Sequence, residues 1–246
     1  LALFYGNLDL TPIGPDGDEM IRLLAERLVA VDLLGPAATL LAYQVDKRLN
    51  GVAKAQVSTR LASVYLMDHK PAAAVKAIRD SDITGLPQDE MHARLLLEAR
   101  AFAALKQWDN ALDLIAVDDA ADIRKLRADI YWESGNWAVA GQKTEELLDQ
   151  RWSDAPPLTS GERAEVLRAA VAYSLAGDQQ SLARLHEHFT AKMKGTPEAN
   201  LFAVLSAPIE AHGLAFRDAA AKIASVDTLQ TFMADFNKRY ADTPRS

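Results

Sequence analysis

The sequence predicts an all-α protein, a right-handed superhelical stack of about five helical hairpins followed by an irregular helical C-terminal cap. Three observations predict it. A frame of small and aromatic residues, Ala128, Tyr131, Gly135, Trp137 and Ala140, recurs at Ala99, Phe102, Lys106, Trp108 and Ala111 with only the turn glycine replaced, and self-similarity of this kind marks repeat architectures. Apolar residues return every three or four positions along most of the chain, the period of an amphipathic helix. Gly, Pro and Asn fall between the periodic stretches, where a helical chain must turn. Three regions are expected: a non-repetitive arm over residues 1–17, hairpins over 18–194 and the cap over 195–246.

Pro12, Gly14, Pro15 and Gly17 break any helix in the arm, while Phe4, Tyr5 and Leu8 are apolar anchors expected to pack on the first hairpin. The run Asp16, Gly17, Asp18, Glu19 lacks the later glycine and distal glutamate of a calcium loop, so it is read as an N-cap, a position that Asp favours. Hairpin one carries Ile21, Ala25, Leu28 and Val31, is punctuated at Gly35 and Pro36, and runs to about Leu49. Hairpin two pairs Ala53 to Asp68 with a helix opened by Pro71, whose missing N–H costs nothing at a first helical position. Hairpins three and four follow, roughly Asp89 to Val117 and Asp119 to Gln150.

Trp152 to Gly161, with Pro156 and Pro157, is the clearest internal break. Beyond it Thr159 and Glu162 have the spacing of a capping box. Hairpin five keeps Ala170, Tyr173 and Gly177 in frame and departs from it at Gln179 and Leu182. After Gly195 the frame fades into a helix through Leu201, Phe202 and Leu205 that Pro208 must end or kink. A short helix near Phe216 to Ser225 and another from Asp227 to Tyr240 follow, the last with Leu229, Phe232, Met233 and Phe236 at helical spacing. That last helix is expected to cover the exposed end of the stack.

The alternation of small residue, aromatic, turn glycine, second aromatic and alanine resembles the tetratricopeptide repeat family, Ala128, Tyr131, Gly135, Trp137 and Ala140 matching its pattern best. The resemblance covers about Asp18 to Thr190. Its spacing runs about 37, 37, 29 and 42 residues, against the family's roughly 34, so the stack is TPR-like and divergent. The chain also resembles the C-terminal region of long tetratricopeptide-containing proteins of alphaproteobacteria. Leu1 in place of a starting Met fits a piece of a longer chain.

With 246 residues, 49% of them hydrophobic and 25% charged, the chain can bury a large core. A net charge of −7 argues against nucleic acid as a partner, because such domains present a basic face. The chain has no cysteine, which excludes disulfides, thiolate nucleophiles and zinc–thiolate sites and suits cytoplasm or periplasm equally. No apolar run approaches the roughly 20 residues that span a bilayer, so direct membrane insertion by this segment is not expected.

Catalytic patterns are missing: the sequence has no Gly-x-Ser-x-Gly, no phosphate-cradling glycine loop and no Ser-x-x-Lys set. His186 and His188, the closest histidine pair, point about 200 degrees apart on a helix and cannot share a metal as partners four apart can; both are placed on a solvated face. His69, His92 and His212 read as structural. Asp118, Asp119 and Asp122 complement the dipole of the helix that follows them. Trp108 and Trp137 are assigned to the core, Trp132 to the groove, and Trp152 to a loop anchor or an interface.

The family resemblance implies that first helices line a concave surface and that their residues choose the ligand. It places Arg100, Lys125, Asp129, Trp132 and Arg168 there as partner-binding residues. A lysine–asparagine clamp for a C-terminal carboxylate is not matched, Lys125 being followed by Asp129. The expected function is a non-catalytic scaffold, without cofactor or metal, that engages a protein or peptide or another region of the same long chain. The alternatives are an all-α superhelical hydrolase or lyase with a carboxylate site, and an architectural or oligomerising spacer.

Overall fold

Helical hairpins need a residue that reverses the chain without exposing the last carbonyls of the first helix, and the computed structural model meets that need the same way five times. It describes residues 14–207 and 228–240. The expected arm anchors Phe4 and Tyr5, the break at Pro208, the helix near Phe216 to Ser225 and His212 lie outside the described residues. Among those described there are twelve helices and no strand, so the chain is all-α. They are α1 (Pro15–Ala30), α2 (Leu34–Lys47), α3 (Gly51–Met67), α4 (Pro71–Arg79), α5 (Gln88–Ala104), α6 (Trp108–Leu114), α7 (Ala121–Glu133), α8 (Trp137–Glu146), α9 (Ser160–Ala176), α10 (Gln179–Met193), α11 (Ala199–Leu205) and α12 (Thr228–Tyr240).

At the frame's turn position Asp32, His69, Lys106, Gly135 and Gly177 all adopt the left-handed conformation, with φ of 60°, 52°, 60°, 75° and 71°. In each hairpin the next N–H donates to the carbonyl of the frame residue four positions before the turn: Leu33 to Leu28, Lys70 to Tyr65, Gln107 to Phe102, Asn136 to Tyr131 and Asp178 to Tyr173, at 2.8–3.0 Å. This is the six-residue bond of a Schellman end, which satisfies carbonyls the helix leaves open. The small frame residues Ala25, Ala62, Ala99, Ala128 and Ala170 are buried, as are Ala37, Ala74, Ala111, Ala140 and Leu182 in the second helices. The short side chain of the nine alanines lets paired helices approach closely, and only Leu182 is larger.

Helix starts follow local chemistry. Pro71 occupies the first turn of α4. Thr159 and Glu162 form both hydrogen bonds of the expected capping box, and Asp178 caps α10 through the Ser181 N–H at 3.0 Å. The first hairpin departs from expectation twice. Its turn is at Asp32, and Gly35 and Pro36 lie inside the first turn of α2, where N–H groups have no intrahelical partner and a proline is tolerated. The run Asp16 to Glu19 is no N-cap either: α1 begins at Pro15 with Gly14 at the cap and no side-chain cap bond. Asp18 instead pairs with Arg48 at 2.5 Å while its carbonyl accepts from Gln44 Nε2 at 3.0 Å, so it ties α1 to the end of α2.

The chain divides into two compact units, residues 1–114 with 233–246, and residues 115–232. In the first, α1 packs on α2, α2 on α3, α3 on α4 and α5, α4 on α5, and α5 on α6. Its apolar cluster runs from Ile21 and Leu28 through Leu40 and Leu41 to Leu61 and Val64. Arg94 of α5 is buried and donates to the carbonyls of Ala55 (3.1 Å) and Ile78 (2.5 Å) and to the hydroxyls of Thr59 (3.3 Å) and Ser81 (3.2 Å). It binds α3, the end of α4 and α5 together, and burial lowers its pKa. Asn237 of α12 lies against Arg60 (3.4 Å) and Met67 (3.8 Å) of α3.

In the second unit α7 packs on α8, α8 on α9, α9 on α10 and α11, and α10 on α11. Tyr173 is 1% exposed at its centre, and its ring fills the space over Gly141, where an added Cβ would lie 2.7 Å from two ring carbons. Its hydroxyl donates to Glu145 Oε2 at 2.6 Å, and Arg184 holds the same carboxylate at 2.8 Å. Burial and the Glu145 carboxylate push the phenol's pKa well above its ordinary value.

Candidate functional site

The structure brings together three of the five residues predicted to bind a partner. In the second unit Arg168 of α9 reaches Asp129 of α7 with a 2.5 Å ion pair, and its guanidinium lies 4.8 Å over the ring of Trp132. Trp137 meets Trp132 edge-on at 5.2 Å. Glu165, three residues before Arg168 and so on the same helix face, completes the group. Burial raises its pKa first and Asp129 raises it further, while Arg168 and Lys125 oppose. Lys125 is therefore close enough to be felt electrostatically. Glu165 Oε2 and Arg168 Nη2 are sealed from solvent without a hydrogen-bond partner among the described residues.

This cluster is an internal node, and that corrects its assignment to an open contact surface. Trp132 is 6% exposed and Asp129 4%. Arg100, in the first unit, is 3% exposed within α5. The reason is that Trp132 follows the inward Tyr131 by one residue, which turns it toward α9, where Arg168 closes over it, while Trp137 of α8 meets its ring edge-on. Trp137, assigned to the core, is only partly buried against the cluster. The sequence signal for Glu165 was its i,i+3 spacing from Arg168.

The remaining candidates are engaged locally. Asp118 and Asp122 accept from the N–H groups of Ala120 (2.9 Å) and Ile123 (3.0 Å). Arg127 lies 3.8 Å from Asp119 and donates to the carbonyls of Ile115 and Asp118. His186 does more than face solvent: its Nδ1 is 2.7 Å from Ser206 Oγ and its ring stacks on Phe202 at 5.9 Å. His188 stacks on Trp152 at 4.4 Å, so that tryptophan anchors the loop before α9. Lys192 donates to the carbonyls of Asp154 and Pro156 on the same loop. Among the described residues no group of three or more His, Asp or Glu side chains is placed to hold a metal, and no helix is long and apolar enough to cross a membrane.

An open groove of about 480 Å³ lies in the first unit, lined by Arg79, Phe102, Gln107, Asn110, Asp113 and Leu114. Arg79, at the end of α4, pairs with Glu98 at 2.6 Å and stacks 5.0 Å over the Phe102 ring. Its side chain is 60% exposed. The turn that places Lys106 in the left-handed region brings Gln107 to the start of α6, and Asn110 Nδ2 donates to Gln107 Oε1 at 3.1 Å. Asn110 and Asp113, three apart, share the exposed face of α6. No sequence pattern singled out this groove, because its lining comes from three elements and only Phe102 belongs to the frame.

Comparison of the chain with protein-family models, with curated proteins and with solved structures finds no match in any of the three.

Proposed function

We propose that this chain is a non-catalytic protein-interaction scaffold, a divergent TPR-like right-handed stack of five helical hairpins with a helical C-terminal cap. It engages a protein or peptide, or another region of the same long chain. The observation that carries the reading is the hairpin itself, repeated five times with one turn conformation and one turn hydrogen bond. Such units bury their apolar faces on their neighbours and leave outer faces for ligands. Asp129, Trp132 and Arg168, expected from the sequence to bind a partner, instead hold α7 to α9 in this reading, and the contact surface is the open first-unit groove.

The test is crosslinking with the full chain in cells of its source, followed by mapping of the crosslinked peptides. A recurrent partner crosslinked at α4 to α6 is expected. Crosslinks confined to other surfaces would remove the groove from the reading, and no recurrent partner would remove the scaffold. One observation favours the second reading, an all-α hydrolase or lyase: Glu165 is pushed toward its protonated form by burial and then by the charge of Asp129, and a carboxyl with a raised pKa suits acid–base work. Against it, Asp129 is held by Arg168 and the free oxygen of Glu165 is closed to solvent.

A further inference from the structure

The first-unit groove offers unspent polar groups of both signs. Arg79 uses only its Nε on Glu98 among the described residues, and its guanidinium carbon lies 5.0 Å from the centre of the Phe102 ring. Its two Nη groups therefore remain as a planar fork suited to a carboxylate. Asp113 is exposed and makes no hydrogen bond or ion pair among the described residues. On the same lining, the bond from Asn110 Nδ2 to Gln107 Oε1 leaves Gln107 Nε2 as a donor and Asn110 Oδ1 as an acceptor. A donor and an acceptor side by side complement the C=O and N–H of a peptide backbone. Phe102 and Leu114 supply an apolar floor. The volume of about 480 Å³ falls within the roughly 300–1,000 Å³ of ligand-binding clefts.

We propose that this groove binds a short extended peptide segment of a partner protein that carries an acidic and a basic side chain on either side of an apolar one. The acidic side chain meets Arg79, the basic one meets Asp113, the apolar one rests on Phe102 and Leu114, and one peptide group is read by Gln107 and Asn110. This deepens the scaffold reading and rests on it. Charge complementarity selects the occupant. α6 carries Asp109 and Asp113 and no basic residue, and Glu98 already neutralises part of Arg79, so a polyanion such as nucleic acid would meet repulsion along the rim.

The experiment is selection of a phage-displayed heptapeptide library on the immobilised full chain, followed by titration of the synthetic consensus peptide. Sequences with opposite charges flanking an apolar residue should be enriched. Binding should fall about tenfold in Asp113→Lys and in Arg79→Gln, about 1.4 kcal/mol each; the melting temperature should be unchanged in Asp113→Lys, whose side chain is exposed, and lowered in Arg79→Gln only by the loss of the Glu98 pair. A peptide whose basic residue is changed to acidic should recover affinity for Asp113→Lys. Enriched peptides that bind both variants as well as the original chain would overturn the groove assignment and leave the scaffold reading standing. Enrichment of purely acidic or purely basic sequences, or of none, would overturn the proposed partner chemistry.

Discussion

The three hairpins of the first unit and the two of the second make the same turn with different residues. Asp32, His69 and Lys106 hold the left-handed conformation in one, Gly135 and Gly177 in the other. That conformation costs a side-chain-bearing residue about 1–2 kcal/mol and costs glycine nothing. The first unit accepts the cost three times, because the six-residue hydrogen bond and the buried alanines on both sides of each turn hold the backbone. Packing of the hairpin therefore fixes the turn, and glycine is a local relief of strain. The units also differ in how they bury charge. Arg94 in the first donates its hydrogen bonds to neutral acceptors, with Glu90, Asp82 and Glu98 acting on it through their charge, whereas Arg168 in the second has a carboxylate in direct contact and an indole.

The largest effect should come from the second unit's node. Trp132→Ala removes a buried indole from beneath Arg168 and should cost about 3–5 kcal/mol. Thermal melting of the full chain checks this, and a change under about 0.5 kcal/mol, the surface range, would restore Trp132 to an open surface. Next is Gly141→Ala. A helical Gly→Ala change ordinarily gains about 1 kcal/mol, but here the new methyl meets the Tyr173 ring at 2.7 Å. The ring cannot retreat without breaking its bond to Glu145, so overpacking should cost about 1–3 kcal/mol instead. A stabilised variant would show that this helix pair yields.

Much of this contrast was legible in the sequence. The frame located the turns at His69, Lys106, Gly135 and Gly177, though not the one at Asp32, and the sequence also held the Pro71 start and the Thr159 capping box, because each depends on a few neighbouring residues. What it missed depends on contacts far along the chain. Asp18 had the residue type of a cap, yet Arg48, thirty positions away, took its carboxylate. Trp132 looked free because helical periodicity says which way a side chain points and not which helix covers it. Nothing in the periodicity of the terminal helix told that its Asn237 lies against Arg60 and Met67 of α3. The groove escaped notice because cation stacking, amide pairing and an open carboxylate leave no periodic trace.

Two carboxylates near the start of α9 should give the second unit opposing responses to pH. Glu165 has its pKa raised by burial, so its stabilising contribution is fully present below the unfolded value and is lost as pH rises through the folded one. Glu162, paired with Arg151, is depressed to about 2 from 4.5, so its contribution is present above 4.5 and is lost as pH falls toward about 2. Melting of Glu165→Gln between about pH 4 and 8 should lack the decline with rising pH that the unaltered chain has beyond its unfolded carboxylate value. Superimposable profiles would mean that Glu165 is solvated.

The smallest effect tests the central claim, that one backbone turn recurs at the frame's third position whatever residue stands there. Melting of Lys106→Gly against Lys106→Ala in the full chain measures it directly, since the two differ only in tolerance of positive φ at an exposed site. The left-handed turn predicts that the glycine variant is the more stable by about 1 kcal/mol. The reverse order, glycine less stable by about 1 kcal/mol as in a helix interior, would contradict the repeat.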